Sequence, residues 1–253
     1  MRSIGRCNDR LMSRTSRTRN AHAVRRTTLL LFDIDGTLLL SGGASFRALT
    51  RTFKELFGVS DGFAGIPVAG RTDALILDDA IACADLQVSD GIRARFHARY
   101  GELLEREIRQ PGSRKGLLPG VARLLDTLAE RPDACSALLT GNFARTARIK
   151  LEYFGLWRYF VCGAFGDDAP ERNQLTPIAL ERARAVGVEV TSFADVVVVG
   201  DTPLDVECAA TVGARSLAVA TGSYDQAALR ESGADAVLPD LSDAQAFLDF
   251  LGP

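Results

Sequence analysis

The chain is poor in the residues on which several enzyme classes depend. It has two histidines, His22 and His97, in 253 residues, and a serine or cysteine triad needs a histidine as its base. His22 lies in an arginine-rich stretch near the start and His97 inside an amphipathic helical pattern, so triad chemistry is disfavoured. Five cysteines, Cys7, Cys83, Cys135, Cys162 and Cys208, are scattered without CxxC spacing and cannot all pair. That usage fits reduced thiols and a cytoplasmic location better than a disulfide framework. No apolar run approaches the roughly 20 residues that span a bilayer, so no membrane partner is expected. Only three lysines, Lys54, Lys115 and Lys150, stand among 30 basic residues. What is present is ordinary for a soluble fold: 47% hydrophobic and 25% charged residues, enough for one substantial core and a smaller accessory unit.

The net charge of −2 conceals an asymmetry. Residues 1–27 hold eight arginines and a single aspartate. An arginine-rich, acid-poor start is the composition of a transit peptide or a nucleic-acid arm. It lacks apolar periodicity and a secretory apolar core, and arginine outweighs lysine throughout the chain, so a disordered extension is the preferred reading and nucleic acid is not an expected partner.

Chemistry concentrates at the ends of apolar runs. Leu29 to Phe32 lead directly into Asp33, Ile34, Asp35, Gly36 and Thr37. A short apolar run bounded by a turn signal is the pattern of a buried parallel strand, and parallel sheets bind ligands beyond their carboxyl ends. Two carboxylates on one side of an extended chain repel unless a cation or a shared proton relieves them. In isolation, Asp and Gly here would be no more than a strand-ending turn. A second segment repeats the grammar: the strand Ala194 to Val199 runs into Gly200, Asp201, Thr202, Pro203, Leu204 and Asp205. Between them the run Cys135 to Leu139 ends in Thr140, Gly141 and Asn142, a hydroxyl and loop amides at a strand end, where a phosphate can sit.

Together these pieces resemble the haloacid dehalogenase superfamily, specifically its phosphatases with a helical cap inserted after the first motif. The matching segments are FDIDGT at Phe32 to Thr37, LLTGN at Leu138 to Asn142 and VVGDTPLD at Val198 to Asp205. The stretch Ala164 to Glu181 resembles the family's third region, with Arg172 where a lysine is usual; Lys150, on the expected helix Phe143 to Phe154, is the alternative phosphate cation. The physical need is clear without the name. A dianionic phosphate monoester repels an attacking carboxylate, and Mg2+, which prefers oxygen ligands and few protein groups, relieves that repulsion. Asp33, Asp201 and Asp205 are the expected carboxylates. The resemblance implies further that Asp33 is the nucleophile forming an aspartyl phosphate. It gives the backbone carbonyl of Asp35 to the metal and the Asp35 side chain the part of general acid and then base. Thr140, with amides near Gly141 and Asn142, would hold the transferring oxygens.

The expected fold is α/β: a doubly wound, Rossmann-like parallel sheet over 28–41 and 118–253, with a small helical cap over 42–117. Phe46, Leu49, Phe53 and Leu56 recur at helical spacing before Gly58, and further helical patterns cover Thr72 to Cys83 and Ser89 to Ile108. Pro119 and Gly120 reopen the core with a helix Val121 to Ala129, and strands are expected near Phe160 to Ala164, Arg215 to Ala220 and Ala236 to Leu238. Gly42 and Gly43 read as a hinge or a plain connector. The segment Ala69 to Asp73 resembles a loop of phosphoglycolate phosphatase-like members, in which Arg71 would meet a substrate carboxylate; the competing reading is that Thr72 caps a helix and Arg71 is solvated. A small phosphorylated metabolite, phosphoglycolate first, is the expected substrate. A dehalogenase lacks the second acid that Asp35 supplies, and Asp35 equally disfavours phosphonate hydrolysis despite Lys54. A phosphosugar mutase keeps every motif, and a non-catalytic binding protein on this fold is the reading from a different class. The sequence leaves the oligomeric state open.

Overall fold

A computed structural model describes residues 27–252. The arginine-rich stretch 1–27, apart from Thr27, and with it Cys7 and His22, lies outside the described residues. The elements in chain order are β1 (Thr28–Phe32), β2 (Leu39–Leu40), α1 (Ala44–Phe57), α2 (Asp73–Cys83), α3 (Asp90–Glu107), β3 (Gly116–Leu117), α4 (Val121–Ala129), β4 (Ala134–Leu139), α5 (Ala144–Tyr153), β5 (Gly163–Ala164), α6 (Leu175–Ala185), β6 (Val196–Gly200), α7 (Pro203–Val212), β7 (Arg215–Val219), α8 (Gln226–Glu231), β8 (Ala236–Leu238) and α9 (Ala244–Leu251). Six strands form one sheet in the order β5-β4-β1-β6-β7-β8, parallel throughout. β2 and β3 pair antiparallel in a separate small ladder.

Side-chain alternation explains why both faces are covered. Leu30, Phe32, Leu138, Val197 and Val199 point to one face and pack with α4, α5 and Phe247 of α9. Leu29, Leu31, Ala137, Leu139, Val196 and Val198 point to the other and pack with α6 and α7. Strands apolar on both faces require helices on both sides, and the chain forms that α/β, Rossmann-like fold. β1 sits centrally between β4 and β6, so the carboxyl ends of these three strands open side by side.

The helical segment between β2 and β3 builds its own apolar cluster from Phe53, Phe63, Leu77, Phe96, Leu103 and their neighbours, and that cluster runs on to Phe143, just before α5. α1 departs from the expected stripe. Its buried residues are Ala44, Ala48, Leu49, Thr52 and Phe53, and Phe46 is 51% exposed. The packed stripe follows small Ala44 and Ala48, which let α1 approach its neighbours closely, and Phe46 is turned to the rim. The two chain crossings meet at glycine: a Cβ on Gly112 would stand 2.3 Å from the Gly42 carbonyl oxygen, so only a bare backbone fits there.

Strand ends differ from expectation by local chemistry. β5 is a two-residue edge strand because Trp157–Tyr159 first make a tight helical turn. β6 starts at Val196 because Ser192 and Asp195 form a reciprocal capping box around the turn Phe193–Asp195. Among the described residues, no helix is long and apolar enough to cross a membrane.

Candidate active site

The ends of β1 and β6 and the first turn of α7 deliver the acidic residues to one point. Ligand oxygens of Asp33, Asp201 and Asp205 lie within 4.8 Å of one another, all buried. Asp33 follows β1, Asp201 follows β6, and Asp205 stands in the first turn of α7, where its Oδ2 accepts from the Thr202 amide at 3.0 Å and the Thr202 hydroxyl at 2.8 Å. A capping box thus fixes Asp205. Asp201 Oδ1 accepts from Thr37 Oγ1 at 3.2 Å. Gly36, at φ 85°, turns the chain where a Cβ would come within 2.4 Å of Asp201, so the turn after β1 needs glycine for both conformation and space.

Burial of so many carboxylates is costly, and it shifts them. Burial pushes Asp201 up to about 8, with the charges of Asp33 and Asp205 adding to it. Burial likewise raises Asp33 to about 6, against the pull of Arg172. Arg172 Nη2 lies 3.0 Å from Asp33 Oδ1 and 2.5 Å from Asp205 Oδ1. Burial opposes its charge, and Asp205 and Asp33 outweigh that burial. A compact set of hard carboxylate oxygens, protonation-strained in the absence of further positive charge, fits a small divalent cation such as Mg2+.

One stability prediction arises here. The folded state holds the Asp201 proton more tightly than the unfolded chain, so stability is lost as pH rises from the ordinary carboxylate range through about 8. Metal-free Asp201→Asn should therefore melt higher than metal-free wild type at about pH 9, and the gap should narrow toward about pH 5. Thermal melts in chelator across that range check it, and a gap independent of pH would reject the cause.

The second wall carries Thr140, Gly141 and Asn142 at the end of β4. Thr140 is fully buried, and Asn142 Nδ2 donates to Thr140 Oγ1 at 2.8 Å and to Asp35 Oδ2 at 2.9 Å. Both candidate cations are brought in. Lys150, reaching back from α5, donates to Asp35 Oδ2 at 2.5 Å and Asn142 Oδ1 at 2.6 Å, so it serves Asp35 while Arg172 serves Asp33 and Asp205. Arg71 lines the same cavity, but its guanidinium is 2.7 Å from Asp79 Oδ2 and donates to the Pro67 carbonyl at 2.9 Å. Thr72 does cap α2, accepting from the Leu75 amide. His97 lies against Phe143 with ring centroids 3.9 Å apart and the planes tilted by 31°, and it faces Asp167.

Asp73 escaped sequence reasoning as a site residue. It opens α2, yet its Oδ2 accepts from the Phe143 amide at 3.1 Å at the start of α5, and burial raises it to about 6 against the pull of Lys150. Its place in the run Ala69 to Asp73 was the available signal. Gly222 gave none: a Cβ there would meet Asp201 Oδ2 at 1.6 Å. These groups line a cavity of about 350 Å³.

Residues 30–210 match the family model of the haloacid dehalogenase-like hydrolases. The chain belongs to that family. None of the curated proteins matches it. Among solved structures, the chain is similar to a hydrolase from Pseudomonas syringae at 24% identity and TM-score 0.65, covering 90% of this chain and 100% of that one. It is similar to a predicted phosphoglycolate phosphatase from Haemophilus somnus at 17% identity and TM-score 0.64, covering 89% and 99%. CbbY from Rhodobacter sphaeroides, solved in complex with phosphate, matches at 20% identity and TM-score 0.61 over 86% of this chain and 96% of that one. At these identities the likeness is one of fold.

Proposed function

We propose that the protein is a Mg2+-dependent phosphomonoester hydrolase acting on a small phosphorylated metabolite in the cytoplasm, with Asp33 as nucleophile. The observation that carries this is the Asp33, Asp201 and Asp205 cluster beside a buried arginine whose Nε has no partner. A buried unpaired donor calls for an acceptor, and a phosphoryl oxygen is the acceptor this chemistry supplies.

Asp33, Asp201, Asp205 and the Asp35 carbonyl would hold the metal, which supplies positive charge against the substrate's negative oxygens. The protein's own groups do the rest. Asp33 attacks phosphorus and becomes an aspartyl phosphate as the alcohol oxygen leaves. Asp35 gives that oxygen a proton, then takes one from the water that hydrolyses the acyl phosphate. Asp35 is suited to switching roles because Lys150 and Asn142 fix one carboxylate oxygen. Thr140, the Gly141 and Asn142 amides and Arg172 orient the transferring oxygens. The segment 42–117 acts as a cap over the site: Asp73 N donates to the Gly141 carbonyl at 2.7 Å, and Thr72 Oγ1 to the Pro170 carbonyl at 2.7 Å.

Phosphoglycolate is the first substrate to assay. Phosphate release from a panel of phosphorylated metabolites should depend on added Mg2+ and fall to background in excess chelator. Release unaffected by chelator would reject the metal. A mutase of the same superfamily would instead interconvert hexose phosphate isomers; the apolar lining from Leu40, Phe46, Leu49 and Val68 counts against a polyhydroxylated sugar.

A further inference from the structure

The cavity that Asp33, Asp35 and Asp201 line also has an apolar lining and further cations. Leu40, Phe46, Leu49, Val68, Ile76 and Tyr100 supply that apolar lining. Four described cations line the cavity: Arg71, Arg114, Lys150 and Arg172. Three of them are spent on protein acids, Arg71 on Asp79, Lys150 on Asp35, and Arg172 on Asp33 and Asp205. Among the described cavity-lining cations, Arg114 is the one with neither ion pair nor hydrogen bond.

Its position is built, and at some cost. Arg114 has φ 54°, a left-handed conformation that costs a side-chain-bearing residue on the order of 1 kcal/mol. Its neighbour Lys115 holds the turn in place, donating to the Ile108 carbonyl, to the Gln110 carbonyl at 3.1 Å and to Tyr153 Oη at 3.0 Å. Gly112 meets Gly42 on the other side. The crossing turn is clamped while Arg114 is left exposed on the cavity wall.

We infer that Arg114 is a specificity residue that binds a second anionic group on the leaving alcohol, whose carbon body lies against the apolar lining. This rests on the phosphomonoesterase reading and narrows it to phosphomonoesters of alcohols that carry a distal carboxylate or phosphate. Phosphoglycolate is the shortest member of that class. Longer members suit the site better, because a cavity of about 350 Å³ is in the range that encloses ligands well above a two-carbon group, and exposed Phe46 gains cover only from an apolar body. The planar guanidinium offers paired donors to either anion.

The test compares kcat/KM for phenyl phosphate, 4-(carboxymethyl)phenyl phosphate and 4-(phosphonomethyl)phenyl phosphate, the last two separating carboxylate from phosphate-like recognition. Wild type should prefer one or both charged-tail esters roughly 10- to 100-fold over phenyl phosphate, the worth of a charge-assisted hydrogen bond. Arg114→Gln should collapse that ratio to within about threefold of unity through KM, Arg114→Lys should restore part of it, and Arg71→Gln should leave the ratio standing. No preference in wild type, or a preference that survives Arg114→Gln or falls with Arg71→Gln, overturns the inference. If no ester releases phosphate, the phosphatase reading fails separately; calorimetric binding of the matching aryl phosphonates then reads the same ratio, and its loss or survival in Arg114→Gln decides the assignment.

Discussion

Asp33→Asn will reduce phosphate release by on the order of 10⁴-fold or more while the protein stays folded. The size follows from the role: when a nucleophile is removed, what remains is binding and electrostatic stabilisation without a covalent route. The fold should tolerate the change because asparagine keeps the shape and removes a carboxylate that burial already holds up at about 6. Arg172 loses one of its acids but keeps Asp205 at 2.5 Å. Steady-state phosphate release together with thermal melts checks both halves. Wild type quenched in acid during turnover should carry acid-stable label from the substrate phosphorus, and the variant should carry none. Turnover that survives the substitution with an unchanged melt would sink the covalent mechanism.

The strand-end chemistry was legible in the sequence because it is local. A buried parallel strand must be apolar on both faces, so Leu29 to Phe32 and Val196 to Val199 stand out, and whatever polar residues follow must lie at the sheet's carboxyl edge. That places Asp33, Thr140 and Asp201 near one another once the strand order is known. Lys150 and Arg172 were nameable as cations but not divisible between the carboxylates, since α5 and the turn before α6 approach the cleft from different directions. Phe46 was misread for a related reason: helical periodicity marks a stripe, and the stripe that packs depends on how small Ala44 and Ala48 are. Asp73 and Arg114 were harder still. Asp73 acquires its meaning by meeting the start of α5, 70 residues later in the chain, and Arg114 by a backbone turn at a glycine crossing. Neither contact leaves a periodic trace.

The two buried cations should fail in opposite ways when removed. Arg172→Ala strips the positive charge from Asp33 and Asp205, leaving buried carboxylates unpaired, a loss of about 3–5 kcal/mol in comparable settings. Metal-free protein should therefore melt well below wild type, and Mg2+ should recover much of the difference, since a ligand bound only by the folded state stabilises it by mass action. Metal affinity should rise, because a competing cation has left the acids. Lys150→Ala acts on the other wall. Its amine is 2.5 Å from Asp35 Oδ2, but the Asp35 side chain is 39% exposed and keeps Asn142 as a partner, so the folded state loses less. What is lost is the orientation of the acid and base, and kcat should fall on the order of 10²- to 10⁴-fold with Mg2+ affinity unchanged. Melts with and without Mg2+, metal titration and steady-state kinetics on both variants separate the two outcomes. Equal and negligible losses would reject both assignments, and a shift in metal affinity in Lys150→Ala would reject the division of labour between them.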